Sequence, residues 1–434
     1  MSRIARRRPR SFKLPVRASL GFAFACLMGV SVIGQSWEVF DMASAGLPSN
    51  TVNAIAQGPG DVVWVGTDWG LCKYDGVAWQ VFQVGTSGIP ENDIRALAVD
   101  AQGRLWIGTL SSGLVVYDGA TWQQFLPGTS PMPSDQIHNI TLDQEGFGWL
   151  ATTNGMVRTD LSDWRIYNNT DESYNGLILP GTNIQDIAVR SDGLVCVGTL
   201  NAGFTYVTGT EVVVYTTVQD GLPDNTALGV AVDGNGDRWL ACPSGGLLRN
   251  FGDVQGGFWS QYIASSSGVP GNALNDVVID ASDRKIVASQ IGGVGILTGI
   301  DQWQVYNEQN SALPDNEVRC LAVAPDGAIW AGTATGGAAR LAPDQSYVTS
   351  VEGSIPVRVF PVPADFEVTV DLGGLSGNGT ANWEILDSSG RLIDAGSWIG
   401  SRRNQLDVSG YEAGSYFLTV LQVGQVRTAR IAVD

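Results

Sequence analysis

The sequence predicts an all-β chain: a seven-bladed β-propeller closed by its N-terminal strand, followed by a small antiparallel β-sandwich. Three observations carry this expectation. The 434 residues include 55 glycines and 14 tryptophans; glycine weakens helices and aromatic side chains suit the pleated surface of a strand, so turns and sheets are favoured over long helices. An apolar residue followed by proline recurs at Pro48, Pro90, Pro133, Pro180, Pro223, Pro270 and Pro314, at spacings of 42, 43, 47, 43, 47 and 44 residues, a period typical of blades or solenoid repeats. Each unit then offers four short β-type runs separated by turn residues, the sequence form of a propeller blade.

Composition sets the class. With 44% hydrophobic and 16% charged residues, the chain can bury a sizeable core and does not have the make-up of a disordered protein. Seven basic residues (Arg3, Arg6, Arg7, Arg8, Arg10, Lys13, Arg17) precede the apolar run Ala18 to Gly34, and no acid lies in that stretch. Residues 1–34 therefore read as a secretory signal peptide, cleaved near Gly34. A lipid anchor at Cys26 fits less well, because Ala23, Phe24 and Ala25 make a poor lipobox. Removing the leader leaves 18 basic residues against 43 acids, a net charge of −25, which repels nucleic acid and anionic lipid. No other apolar run of span length follows, so no transmembrane span is expected in the mature chain. The remaining cysteines, Cys72, Cys196, Cys242 and Cys320, are too few and scattered for a disulfide scaffold, and buried free thiols are expected.

The second unit shows the blade parts clearly. Its first run is Ile94 to Val99; a turn at Asp100 to Gly103 leads to Leu105 to Thr109, then Gly113 to Tyr117, a turn at Asp118-Gly119, and Trp122 to Phe125. The second run repeats an aromatic-apolar-small pattern as Trp64-Val65-Gly66, Trp106-Ile107-Gly108, Trp149-Leu150-Ala151, Trp239-Leu240-Ala241 and Trp330-Ala331-Gly332; Cys196 and Ile286 stand where the other two units lack the aromatic residue. A Gly or Ala in third place lets the next blade approach while the indole fills the wedge, so these tryptophans are core residues. The outer run appears in six units, but the seventh stops after Leu341 without one. Trp37-Glu38-Val39-Phe40 matches it. The N-terminal segment should therefore supply the last strand and remove an open edge, giving a propeller over 35–341.

The recurring Leu-Pro-x-Asn-x-Val-x-x-Ile, Asp-x-x-Gly-x-x-Trp-x-Gly-Thr and Gly-Leu-x-x-Tyr-Asp-Gly resemble the two-component regulator propeller repeat. In that family such repeats commonly form extracytoplasmic sensors of hybrid histidine kinases in Bacteroidetes-type bacteria, often where glycans are sensed. This sequence departs from them, since no membrane span, kinase core or DNA-binding segment follows the repeats.

After a linker, 342–356, the period breaks. Seven strand-like runs between Val357 and Val433, with turns at Asp387 to Gly390 and Glu412 to Gly414, read as an antiparallel sandwich over 357–434 without cysteine. This part resembles the C-terminal sorting domain of the type IX secretion system, through Phe360-Pro361-Val362-Pro363-Ala364, Asp387 to Arg391 and Gly414 to Val420; Val362 stands where that family usually has asparagine. The resemblance implies contact with the type IX machinery, export through the outer membrane, and commonly removal of this domain before release or surface attachment. An adhesion-type or carbohydrate-binding sandwich is the alternative.

Chemistry is sparse. A single histidine, His138, excludes a multi-histidine metal site, and neither G-x-S-x-G nor a P-loop is present. Asp233-Gly234-Asn235-Gly236-Asp237 suggests a calcium loop, but Arg238 occupies the sixth place and Ser244 the twelfth, so it reads as a hairpin turn. No metal or other cofactor is expected. Asp100, Asp143, Asp233 and Asp280 recur in register, as do Asn50, Asn92, Asn225, Asn272 and Asn316; residues repeated around a ring serve the blade as turn formers. A ligand site should instead show where equivalent positions differ and stay polar. The second residue of the inner strand does so: Asn53, Arg95, His138, Gln185, Leu228, Asn275 and Arg319. This ring should lie at the mouth of the central channel, with Asp68, Trp69 and Asp93 on the same face and Trp69 free to stack on a sugar. The alternative is that these groups only bond one another and trapped water.

The sequence thus predicts an exported recognition module for a glycan, peptide or protein partner, without catalysis. A carbohydrate-active lyase or hydrolase, using carboxylates or His138 and Arg319, and a purely structural surface protein are the competing readings.

Overall fold

A computed structural model describes residues 37–170, 173–251, 258–299, 302–343, 358–360, 367–371, 380–387, 392–399, 403–411, 414–422 and 425–433. The leader segment with Cys26, most of the linker, and Pro361 to Ala364 and Ser388 to Arg391 of the sorting motifs lie outside the described residues.

Seven four-stranded antiparallel sheets follow one another along residues 37–341. Six are built in chain order. Blade 1 is typical, with Val52–Gln57 innermost, then Val63–Thr67, Gly70–Tyr74 and Trp79–Phe82. The seventh blade takes three strands from Val318–Val323, Ile329–Thr333 and Ala338–Leu341, and its fourth from Trp37–Phe40. The pairing runs Trp37 opposite Leu341 to Phe40 opposite Ala338, so the N-terminal strand closes the ring. The described residues contain no α-helix, only a single 3₁₀ turn at Tyr174–Gly176.

The blades hold together through four devices written into the repeat. Second-strand tryptophans are buried: Trp106 is wholly so, and Trp64, Trp149, Trp239 and Trp330 nearly so. Beside them, a Cβ on Gly66 would stand 2.5 Å from Ile94 Cγ2 of the next blade, and one on Gly108 would stand 2.7 Å from Ile137 Cγ2, which is why the third place stays small. The register aspartates form the first turn: Asp143 Oδ1 accepts the N–H groups of Glu145 and Phe147, while Oδ2 accepts Trp149 Nε1–H at 2.9 Å and pairs with Arg158 at 3.0 Å. Asp100 and Asp233 hold Trp106 and Trp239 in the same way. The register asparagines tie the connections between blades, Asn50 Oδ1 accepting Met42 N–H at 2.8 Å and Asn272 Oδ1 accepting Ala264 N–H at 2.8 Å. Asp233 also closes the hairpin that resembled a calcium loop, through the N–H groups of Asn235 and Asp237.

Beyond the propeller, Arg358–Phe360, Glu367–Asp371 and Arg403–Asp407 form one antiparallel sheet, and Leu392–Ile399, Thr380–Asp387, Gly414–Gln422 and Gln425–Val433 form another. One apolar cluster joins Val368, Val370 and Leu406 of the first to Ile385, Leu418 and Ile431 of the second. Cys72, Cys196 and Cys242 are buried free thiols and Cys320 is half-buried; burial pushes the Cys72 and Cys196 thiols up to about 12.

Candidate functional site

The inner strand of six blades carries a β-bulge at one place. Its ladder with the second strand jumps from Val52 to Ala54, from Ile94 to Ala96, from Ile137 to Asn139, from Ile184 to Asp186, from Leu274 to Asp276 and from Val318 to Cys320. The residues passed over are Asn53, Arg95, His138, Gln185, Asn275 and Arg319. A bulge leaves its extra residue unpaired and re-aims that side chain. The residue before each bulge is fully buried, which anchors the strand while the bulged side chain turns to the channel. In blade 5 the equivalent Leu228 stands just ahead of the strand Gly229–Val232 and donates its N–H to Ala241 O.

These seven side chains line a single cavity of about 380 Å³, joined by Glu317. The mouth is thus built from every ring residue the sequence singles out. Its charges are largely internal: Arg95 pairs with Asp93, Nε to Oδ1 at 2.7 Å and Nη2 to Oδ2 at 2.9 Å, and Arg319 approaches Glu317 at 3.5 Å. Arg319 Nη1 donates to Asn53 Oδ1 at 3.1 Å, Gln185 Nε2 donates to Asn183 Oδ1 at 2.6 Å, and Gln290 Nε2 donates to Asn275 Oδ1 at 3.0 Å. Asn53 and Asn275 in turn donate to the carbonyls of Ile94 and Val318 in the following blades. Burial lowers the His138 pKa, the Arg95 charge adds to this, and a hydrogen bond with Asn183 opposes it, so the imidazole is held neutral. Its Nε2 has no hydrogen-bond partner among the described residues.

Asp93, Asp68 and Trp69 are not in the cavity wall. Asp93 acts through Arg95. Asp68 and Trp69 form the turn from Val63–Thr67 to Gly70–Tyr74, which Asp68 N–H ties to Thr51 O, two residues before Asn53. Trp69 is 62% exposed, its backbone held by Thr67 Oγ1 and Gln83 Nε2. Glu317 and Asn183 were missed by sequence reasoning, although each lies two residues before a ring position and so on the same side of the chain. One step further along the inner strand, buried Asp186 and half-buried Asp276 have carboxylates that each accept their neighbour's N–H and one from the next blade, Val230 N–H at 2.6 Å and Leu321 N–H at 2.8 Å. Burial, with the charge of Asp276, pushes Asp186 up to about 8; burial pushes Asp276 up to about 6.

Family models match in both parts of the chain. Residues 46–69, 88–111 and 312–335 match the two component regulator propeller, and residues 358–434 match the secretion system C-terminal sorting domain. The chain carries two-component regulator propeller repeats and a type IX sorting domain. The sorting domain marks it for export to the cell surface or outer membrane, and no helix among the described residues is long and apolar enough to cross a membrane. No curated protein matches the sequence.

Among solved structures, the extracellular domain of the hybrid two-component system BT3049 from B. thetaiotaomicron is similar at 16% identity and a TM-score of 0.60, over 92% of this chain and 57% of that one. PorZ, a surface component of the type IX secretion system of Porphyromonas gingivalis, is similar at 18% identity and a TM-score of 0.57, over 91% of this chain and 60% of PorZ. A streptogramin B lyase is similar at 16% identity and a TM-score of 0.55, over 70% of this chain and 96% of the lyase. This chain spans less than two thirds of the first two. At these identities the likeness is one of fold.

Proposed function

We propose that this exported propeller is a recognition protein that holds a polar, near-neutral ligand, a saccharide or a peptide main chain, at the channel mouth and leaves it unchanged. The observation that carries the reading is the convergence of six dissimilar polar side chains, each presented by a bulge, on one cavity of about 380 Å³. The two arginines already face Asp93 and Glu317 and His138 is neutral, so the mouth offers hydrogen-bond donors and acceptors without a strong net charge. Such a surface suits hydroxyl or amide groups better than a polyanion. Trp69, exposed on the same face, adds a flat apolar surface for a sugar ring or side chain.

The test is a glycan and peptide array probed with the secreted protein and with an Arg95→Ala, Arg319→Ala double variant. Binding to an array hit should fall at least tenfold in the variant. Equal binding by both proteins overturns the channel-mouth reading. A lyase or hydrolase is favoured by one observation, the unpartnered Nε2 of a neutral His138, which is free to take a proton. Product release from a bound polysaccharide, lost on His138→Ala, would replace recognition with catalysis.

A further inference from the structure

A second cavity, of about 460 Å³, lies between blades 3 and 4 and is lined by the hairpin turns that follow their inner strands, so it belongs to the end of the propeller opposite the channel mouth. Its origin is a missing indole. In six blades the outer strand carries a tryptophan that packs on the last aromatic residue of the preceding blade's outer strand. These pairs are Trp79 with Phe40, Trp122 with Phe82, Trp164 with Phe125, Trp259 with Tyr215, Trp303 with Tyr262 and Trp37 with Tyr306, with ring centroids 5.3 to 6.3 Å apart. Blade 4 has Val212 instead. Its third strand also ends in Val207, where blade 2 places Tyr117 stacked on Trp122 at 4.1 Å. The aromatic ring facing Tyr167 of blade 3 is now Tyr174, at 5.4 Å and 62°, supplied by the longer connection between blades 3 and 4. Tyr174 fills only part of the gap.

We infer that this interblade slot is a binding site for a planar aromatic group, presented by a small molecule or by an aromatic side chain of a partner. Tyr174 and the stacked pair Trp149 and Tyr167, with centroids 5.9 Å apart, line the slot together with Val195 and Val207. Trp149 Nε1 is held by Asp143, and Arg158 lies over the indole, Cζ to centroid 5.6 Å, so this wall of the slot joins an aromatic surface to a guanidinium. At the edge, Arg165 lies over Tyr174, Cζ to centroid 5.2 Å, while Arg190 and Asp192 close one side as an ion pair. A cavity of ~150 Å³ is enough to take benzene, so 460 Å³ leaves room for a bicyclic ring. The six occupied interfaces show which shape fits the seventh.

The test titrates the secreted full chain with indole, and with a tryptophan-containing peptide and its alanine counterpart, by ligand-observed magnetic resonance. Saturable binding of indole is expected, weakened at least tenfold by Val212→Trp, which supplies the indole from the chain itself, with an equal or higher melting temperature. Tyr174→Ala should also weaken it and serves as the probe should Val212→Trp fail to fold. The Arg95→Ala, Arg319→Ala variant should bind indole as the parent does, which separates this slot from the channel mouth. Binding of the tryptophan peptide as well as indole indicates a protein partner; binding of indole alone indicates a small molecule. No saturable binding of either probe, or undiminished binding by the Val212→Trp and Tyr174→Ala variants, overturns the inference.

Discussion

Asp186 shows how one side chain links the chemistry of the channel to the stability of the ring. Its carboxylate joins blade 4 to blade 5 by accepting both Ile187 N–H and Val230 N–H, yet burial and the nearby Asp276 raise its pKa to about 8. The folded state therefore keeps a proton that the unfolded chain gives up near 4. Between those values the native protein binds more protons, so stability falls as pH rises and levels off above 8. Asp186→Asn cannot lose that proton. Its melting temperature, measured against the parent from pH 4.5 to 8.5, should gain on the parent across this window by the equivalent of up to roughly 5 kcal/mol, since each tenfold change in proton affinity corresponds to about 1.4 kcal/mol. The difference between the two proteins is the quantity to follow, because His138 titrates with the opposite sign. A constant difference would show that the carboxylate is ionised throughout. At this scale the ring itself was legible, because Asn53, Arg95, His138, Gln185, Asn275 and Arg319 each follow a position that stays apolar in every blade. The bulges were not, since a one-residue slip leaves no mark in residue type. Glu317 and Asn183 were missed for a related reason: they precede the strands, in connections where polar residues are expected anyway.

At the level of elements, the boundary between a blade and its neighbour is set by what a strand leaves out. Gly108 pairs with Ala96 in its own sheet and faces Ile137 of blade 3; a Cβ there would stand 2.9 Å from Ala96 Cβ and 2.7 Å from Ile137 Cγ2. Gly108→Val must separate two sheets along their length, and a loss of at least ~3 kcal/mol is expected in denaturant unfolding, since overpacking costs about 1–3 kcal/mol where neighbours can yield. Gly209, in the turn before the outer strand of blade 4, has nothing within 4 Å of its would-be Cβ and no positive φ, so Gly209→Ala should leave stability within about 0.5 kcal/mol of the parent. Equal effects at the two sites would mean that blade contact is not what keeps the position small. Strand positions were readable because alternation and turn residues agree locally. The interblade slot was harder to see. Val212 was visible as the one outer strand without tryptophan, but its consequence depends on how far the Tyr174 connection reaches back, which no local pattern encodes.

For the whole molecule, everything rests on the ring being shut by a strand about 300 positions away in sequence from its partner. Closure is costly in chain entropy and is repaid by contacts around the full circle: Phe40 alone touches Tyr74, Trp79 and Trp330, which belong to blades 1 and 7. Without it, blade 7 would present the bare edge of Ala338–Leu341, and blade 1 would lose the aromatic partner of Trp79. Glu38 and Arg340 are directly opposed in the closing pair, and opposed residues of antiparallel strands lie within the Cα separation a disulfide needs. The native thiols of Cys72, Cys196 and Cys242 are buried and will not compete. Glu38→Cys, Arg340→Cys should therefore form a bond when oxidised, giving up only the exposed ion pair of Arg340 with Asp326. Cross-linking so long a loop removes entropy from the unfolded chain worth up to roughly 5 kcal/mol, and engineered bonds usually deliver less. The propeller of the oxidised protein should melt several degrees above that of its reduced form and in one transition, because a closed ring unfolds as a unit. An oxidised form that melts no higher than the reduced one would mean that separation of the Trp37–Phe40 strand is not the step that opens the ring.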